Sequence, residues 1–326
     1  MADIVVFGSI VHDLISYTEI FPRPGESVRG LSFESGPGGK GANQAAQAAR
    51  LGGNVLLIAR VGNDSFGSQN INALKGQGVN TDYIEKSDTV GTATAVVTVS
   101  QQGENSIVVT LGANLELSGT RAEELESIIA KAKIFMCQYE IKVDALRKAL
   151  EVAKRNNVRT FFNFAPGEPN FDKSILKYVD ILCTNENETE FASGMSAKTI
   201  EDAMKAAQSL LSYGPSAVIA TLGKNGSVIA TKEGLLKHIE THPVKAVDTT
   251  CSLRIRKRQR ARNMKRQMMS TIRISVRHHN YYMRATCVDS YTRMSYMSVV
   301  RCLSKTTERA RAIRKAVVFP SDICSK

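Results

Sequence analysis

The chain has 326 residues, enough for one large α/β domain or two small ones, and no run of eighteen apolar residues, which excludes a membrane-spanning helix. Its net charge of +12 is unevenly placed: residues 1–250 carry 24 Lys+Arg against 28 Asp+Glu, and residues 251–326 carry 19 against 3. The basic balance therefore belongs to the C-terminal segment and does not mark the rest of the chain as a nucleic-acid binder.

In chain order, Ile4 to Ser9 is an apolar run ending in Gly8-Ser9, as expected of a central parallel strand. The segment lacks the basic start and cleavage site of a secretory leader. Asp13 follows four residues later, where strand ends in open sheets present ligand groups. Phe21-Pro-Arg-Pro-Gly25 is a turn, and Ser27 to Glu34 alternates loosely, predicting a strand exposed on one face.

Ser35 to Gly52 is the most informative stretch. Gly36, Gly38, Gly39 and Gly41 predict a glycine-rich turn that lets backbone approach a ligand closely. Lys40 and Asn43 stand at its mouth. An alanine-rich helix follows from Ala42 to Ala49, closed by Gly52-Gly53, so the turn lies at a helix N-terminus that favours oxygen-rich ligands. The spacing Gly36-x-Gly38-x-x-Gly41 matches a dinucleotide fingerprint only literally. The preceding segment is not a buried strand, and the next strand ends in Gly62-Asn63-Asp64, too late for a ribose contact. A Walker loop fails because Gly39-Lys40 is followed by Gly41 and not by Ser or Thr.

Val55 to Val61 is the next buried strand, and Phe66 to Gly76 a helix. Thr92 to Ser100 and Asn105 to Leu111 are β-branched runs around Gln101-Gln-Gly-Glu104, which predicts a hairpin. With the Ser27 strand they predict a small sheet projecting from the main one as a lid that excludes water. Helices and strands then alternate. Helices are expected over 122–132, 143–156, 171–177, 185–194 and 199–213, and strands over 134–138, 158–164, 181–184 and 217–221. A hairpin of 228–231 with 235–239 closes the series. This rhythm predicts an α/β fold, a doubly wound and mostly parallel sheet with helices on both faces.

In such a sheet the ligand sits beyond the C-terminal strand ends. Asp13, Glu140, Asn185, Glu188, Thr221 and Asp248 fall there. Each has a plainer reading: Asn185 and Glu188 also form a capping-box pair, Glu140 fits a solvated loop charge, and Asp248 fits a helix cap. Their joint placement along one edge favours a site.

The order and spacing of Gly38-Gly-Lys-Gly-Ala-Asn-Gln-Ala45, Arg60-Val-Gly-Asn-Asp64, Gly112-Ala-Asn114, Asn185-x-x-Glu188, Thr221-Leu-Gly-Lys-Asn-Gly226 and Val247-Asp-Thr-Thr250 resemble the ribokinase family of carbohydrate kinases over about residues 1–250. The resemblance implies transfer of the ATP γ-phosphate to the 5-hydroxyl of D-ribose, with Mg2+ as cofactor and K+ as activator. It implies sugar contacts from Val11, His12 and Asp13, from Gly39, Lys40, Gly41, Ala42 and Asn43, and from Glu140. The family has an Asn where this chain has Val11. Asn185 and the turn of Thr221, Leu222, Gly223, Lys224, Asn225 and Gly226 would face the nucleotide. Glu188 would support the Mg2+ hydration shell, and Asp248 and Thr250 the K+ site. A homodimer formed through the lid sheet is expected.

The resemblance stops at Thr250. The family continues into Gly-Ala-Gly-Asp, which supplies the anion-stabilising N–H groups and the catalytic base, whereas this chain runs into Cys251-Ser-Leu-Arg-Ile-Arg-Lys-Arg. No catalytic residue is therefore assigned, and a non-catalytic ribose- or nucleotide-binding protein is the alternative expectation. All 23 glycines precede residue 251, while four of six cysteines and six of ten methionines lie at or after it. The expected organisation is a sugar kinase domain over 1–250, lacking its C-terminal part, followed by a basic segment from a shifted reading frame or splice junction. With no C-x-x-C pair, the cysteines are expected to be reduced thiols of a cytoplasmic protein. The basic segment adds the nucleus as a second compartment, although nucleic acid is not expected as a partner.

Overall fold

The structure is a computed structural model that describes residues 2–241 together with the strands Ser275–Val276 and His279–Asn280, which pair with each other. Asp248, Thr250 and the other expectations for residues 242–250 lie outside the described residues.

Among the described residues the main sheet has ten strands. Its order places β14 (Leu236–Ile239), β13 (Ser227–Thr231), β12 (Ala217–Thr221), β11 (Ile181–Asn185), β10 (Arg159–Asn163), β9 (Ile134–Gln138), β1 (Ile4–Phe7), β4 (Val55–Gly62) and β5 (Val79–Asn80) side by side. The short β6 (Ile84–Ser87) pairs with β4 further along. Pairing is parallel from β5 through β12, and antiparallel only at β12–β13 and β13–β14. Strands β9, β11 and β12 are buried at every position, as parallel strands covered on both faces must be.

Two apolar layers follow from strand alternation. Val5, Phe7, Phe135, Phe162, Leu182 and Val218 face one side, where they meet Ala145, Leu146, Ala149 and Leu150 of α5 (Val143–Arg155) and Ala203, Ala207 and Leu210 of α7 (Ile200–Leu210). Ile4, Val6, Leu57, Met136 and Phe161 face the other, against Ala42, Ala45, Ala46 and Ala48 of α1 (Lys40–Arg50). Alanine is the residue that lets α1 lie this close to the sheet. Helix α2 (Ser65–Gly76) adds Leu74 to the same layer. Among the described residues no helix is long and apolar enough to cross a membrane.

The small sheet is present but has four strands. Its order is β3 (Gly30–Gly38), β2 (Val11–Thr18), β7 (Ala93–Val99) and β8 (Asn105–Thr110), with β7 and β8 joined as the expected hairpin. Sequence patterning missed β2, because His12, Asp13 and Ser16 break its apolar run. Asp13 accordingly lies in a lid strand and not at the end of a main-sheet strand. The strand expected over 27–34 is displaced to 30–38, so Gly36 and Gly38 end a strand, and the glycine-rich segment is not one continuous turn. Close approach is the reason: Gly36 pairs with Asp13, and a Cβ on Gly38 would run into the Asp13 carboxylate. Of Gly36, Gly38, Gly39 and Gly41 only Gly39 has a positive φ, 92°, as it turns the chain into α1.

Three smaller differences concern helices. The helix expected over 122–132 is split at Leu125 into α3 (Gly119–Glu124) and α4 (Glu126–Ile129). The segment expected over 171–177 is a 3-10 turn, Lys173–Tyr178. The helix expected over 199–213 stops at Leu210 and tightens into a 3-10 turn, Leu211–Tyr213, a common way for a helix to end.

The crossing from main sheet to lid is fixed by Asn114. Its Oδ1 accepts from the Ile10 amide at 3.0 Å, and its Nδ2 donates to the Ile10 carbonyl at 3.0 Å. Asn114 and Ile10 are both fully buried. Lid strand β7 is tied to α2 by Asp64, which accepts from Thr92 N at 2.7 Å, Thr92 Oγ1 at 2.7 Å and Gly67 N at 2.8 Å. Burial pulls the Asp64 carboxyl upward, but these hydrogen bonds outweigh it and hold the group below its ordinary value.

Candidate active site

The C-terminal ends of β1 and β9 meet the N-terminus of α1 along one edge of the sheet, the edge on which the parallel strands β10 and β11 also end. Helix α1 reaches this edge because two glycines remove the bulk that would hold it off. A Cβ on Gly39 would sit 2.6 Å from the Val11 amide, and one on Gly41 would sit 2.6 Å from the Ser9 amide. The first turn of α1 thus presses directly onto the chain leaving β1, and Ala42 N donates to Ser9 O at 2.9 Å.

Glu140, two residues past β9, is buried at this point and not a solvated loop charge. Its Oε2 accepts from Lys40 N at 2.9 Å and from Ser9 Oγ at 2.6 Å. Its Oε1 stands 3.7 Å from Lys40 Nζ, close enough for ion pairing and too far for a hydrogen bond. Lys40 is itself buried, which only a paired ammonium tolerates. A carboxylate at the first N–H groups of a helix also gains from the helix dipole. The arrangement offers a hydroxylated ligand an acceptor and a cationic donor side by side.

Asp13 is buried on the neighbouring lid strand with its carboxylate against Gly38. Gly39, Gly41, Ala42 and Asn43 follow along the first turn of α1, with Asn43 N donating to Gly39 O at 2.8 Å. The other two sugar-side expectations point elsewhere. Val11 is buried with Ile15, Ala93, Ala95 and Val97 in the core of the lid. His12 is fully buried against α2, its ring stacked on Phe66 at 4.3 Å and its Nδ1 2.9 Å from Asn70 Oδ1.

On the nucleotide side, Asn185 and Glu188 form the capping box that opens α6 (Glu186–Ser193): Glu188 N donates to Asn185 Oδ1 at 2.8 Å, and Asn185 N to Glu188 Oε2 at 2.8 Å. Burial pushes the Glu188 carboxyl up to about 7, against the Asn185 amide, the Lys40 ammonium and the Gly167 amide, which all favour its charged form. The influence of Lys40 links the two halves of the edge. Thr221 lies beside Asn185 in register and donates to Thr184 O at 3.2 Å. Beyond it the chain turns sharply, with φ of 49° at Gly223 and 83° at Gly226. In this turn Leu222 is buried in the core, while Lys224 and Asn225 are exposed.

Three polar residues of this edge escaped the sequence reading. Ser9 bridges Glu140 and Gly41, whose amide donates to Ser9 Oγ at 3.2 Å. Gln138 donates to Gln44 Oε1 at 2.6 Å. Asn163 ends β10 in register with Gln138. Ser9, Gln138 and Asn163 all lie at or just past strand C-termini, so the strand-end rule applied to every strand finds them. A cavity of ≈330 Å3 between Leu115–Glu123 and Lys142–Lys148 holds none of these residues. In its lining Lys148 Nζ lies 3.4 Å from Glu123 Oε1.

A family model described as pfkB family carbohydrate kinase matches residues 1–252. A ribokinase of Mus musculus is 42% identical over 250 residues, covering 76% of this chain and 77% of the relative. A deoxyribokinase of Salmonella typhi is 34% identical over 248 residues, covering 76% and 81%. Among solved structures, an Arabidopsis thaliana ribokinase complexed with ribose and ATP superimposes with a TM-score of 0.70 at 29% identity, covering 76% of this chain and 81% of that one.

Proposed function

The chain belongs to the pfkB family of carbohydrate kinases, and on that premise we propose that its site is built for ATP-dependent phosphorylation of D-ribose at the 5-hydroxyl. The observation that carries this reading is the buried Lys40–Glu140 pair at the N-terminus of α1, with Asp13 on the adjoining lid strand. Pairs of this kind recognise vicinal hydroxyls, since each hydroxyl both donates and accepts. Glu140 and Asp13 would accept from the sugar, Lys40 and Asn43 would donate to it, and Gly39, Gly41 and Ala42 would let it lie against backbone. Val11 and His12 would shape the wall only through their backbone, because their side chains are occupied elsewhere.

ATP would lie over the ends of β11 and β12, facing Asn185 and the Thr221–Gly226 turn. Gly223 and Gly226 allow the close backbone passage that a purine requires. Glu188 suits support of Mg2+: burial raises its carboxyl to about 7, and a nearby divalent cation would favour its charged form. When bound, Mg2+ would neutralise phosphate charge. For K+, only the resemblance at Asp248 and Thr250 supports a site.

The 5-hydroxyl must lose its proton as it attacks phosphorus. Where the family carries Gly-Ala-Gly-Asp, this chain carries Cys251-Ser-Leu-Arg, and the next aspartate is Asp289. Losing a general base lowers rates by about 10²–10⁴-fold. The reading is therefore a ribose kinase domain over 1–250 whose sugar grip rests on Asp13, Lys40, Asn43 and Glu140, without the family's Asn at Val11, and whose proton acceptor is displaced by the unmatched segment 251–326. Dimerisation through the lid is supported by Phe33, Val96 and Val108, which share one face by register and are 63%, 52% and 66% exposed. A cytoplasmic location, extended to the nucleus by the basic segment, completes the proposal.

Isothermal titration of ribose, with 2-deoxyribose in parallel, tests the sugar site. A coupled ADP-release assay with ribose, Mg2+ and K+ tests turnover. Ribose binding with weak turnover is the expected pair of results. Failure to bind either sugar would refute the site, and turnover at a normal kinase rate of about 1–100 s⁻¹ would refute the account of residues 251–326.

A further inference from the structure

Ser9 stands at the point where three parts of the site converge: the end of β1, the first turn of α1 and the Glu140 carboxylate. It is fully buried. Its hydroxyl donates to Glu140 Oε2 at 2.6 Å and accepts from Gly41 N at 3.2 Å, so both of its polar functions are spent on neighbours that face the proposed sugar. The same Glu140 oxygen takes the Lys40 amide at 2.9 Å.

The two carboxylate oxygens are thereby given different tasks. Oε2 holds two donors at short distance and is anchored to the helix N-terminus. Oε1 is directed towards the Lys40 ammonium at 3.7 Å, a gap wider than a hydrogen bond. A sugar hydroxyl that bridges Oε1 and the ammonium meets an acceptor whose orientation is already set. We propose that Ser9 is a positioning residue for sugar binding, which fixes Glu140 through Oε2 so that Oε1 and Lys40 address the substrate hydroxyls together.

The local architecture supports this over a role as mere filler. A serine at a strand end needs one partner to satisfy its burial, and backbone carbonyls are the usual choice. Ser9 instead reaches across 131 positions of sequence to a carboxylate. The approach is enforced from the other side, because any Cβ at Gly41 would fall within 2.8 Å of backbone at Gly8 and Ser9. The hydrogen bond is charge-assisted, the class that contributes most to holding a side chain in place.

The inference rests on the reading of Lys40 and Glu140 as sugar contacts, and titration of ribose into the full chain separates the two. Ser9→Ala is expected to weaken ribose binding by roughly 10- to 100-fold, the range for losing a hydrogen bond to a charged group. In a Glu140→Gln background the same substitution is expected to cost less than about 3-fold, because the group through which Ser9 acts has lost its charge. A purely structural serine would cost the same in both backgrounds. No ribose binding by the unmodified chain would overturn the sugar site and this proposal together. Ribose binding unaltered in Ser9→Ala, or equally weakened in both backgrounds, would overturn this proposal alone. Should Ser9→Ala fail to fold, Ser9→Cys keeps the volume with a weak donor and is expected to show the same coupling. Failure of both to fold would mean that Ser9 is structural and would overturn the proposal.

Discussion

Replacing Gly41 with alanine sets two effects against each other, and the structure decides between them. Gly41 is the second residue of α1, and alanine in a helix is favoured over glycine by about 1 kcal/mol. By propensity alone the substitution stabilises. The new methyl group, however, would lie 2.6 Å from Ser9 N, 2.7 Å from Ser9 O and 2.8 Å from the Gly8 carbonyl carbon. All three are backbone atoms that cannot swing aside. Overpacking of this kind costs about 1–3 kcal/mol. Moving the helix to relieve it also stretches the Gly41 N–Ser9 Oγ and Ala42 N–Ser9 O bonds, each contributing about 1 kcal/mol. The expected result is a net loss of about 1–3 kcal/mol with weakened ribose binding. The chain has no tryptophan, so urea unfolding is followed by far-ultraviolet circular dichroism. Gly76→Ala is the control: it lies in the last turn of α2 with open space around its Cβ direction, and is expected to be neutral or stabilising. If Gly41→Ala gains as much stability as Gly76→Ala, the close approach of α1 to Ser9 is wrong.

Other expectations follow from the remaining contacts. Since the Glu188 carboxyl is raised to about 7 from 4.5, the folded chain holds a proton that the unfolded chain releases between these values. The group's contribution is thus complete below about pH 4.5 and is lost as pH rises through 7, by up to about 3 kcal/mol. Glu188→Gln should flatten the stability profile between pH 5 and 8, and an unchanged slope would show that the shift is absent. Asp64→Ala removes the α2 cap and its bonds to Thr92, and should cost about 1–3 kcal/mol in urea unfolding. A loss below 0.5 kcal/mol (roughly the effect of an ordinary surface change) would deny the lid its anchor on α2. Phe33→Asp places a charge on the exposed lid face, and should turn a dimer into a monomer in analytical ultracentrifugation. A dimer that survives the substitution would have its interface elsewhere.

Much of the main sheet was legible because buried parallel strands are written as continuous apolar runs. Ala217–Thr221 was found to the residue, and the Asn185–Glu188 capping box was visible from its spacing alone. The lid was only partly legible. Strand β2 carries His12, Asp13 and Ser16 among its apolar residues, because one face meets α2 and the other borders the site. Its purpose is tertiary, so local alternation does not reveal it. Gly38 misled for a related reason: the lack of a Cβ reads locally as a turn, but here it makes room for Asp13. Lys40, Asn43 and Glu140 stood out as polar residues in informative places. Ser9 did not, since a serine after a glycine resembles the end of any strand until the carboxylate 131 positions away is seen to reach it.

Asn114 does to Ile10 what an adjoining strand would do, occupying both its amide and its carbonyl with a single side chain. The small sheet consequently hangs from the large one by a riveted strap. Any swing about that strap must break two sheltered hydrogen bonds, at about 1–3 kcal/mol for each group stranded. The corner before β7 is held as well, by the Asp64 bonds to Thr92. A sugar that draws the lid down would therefore leave the corner next to Ser9 and Glu140 where it is.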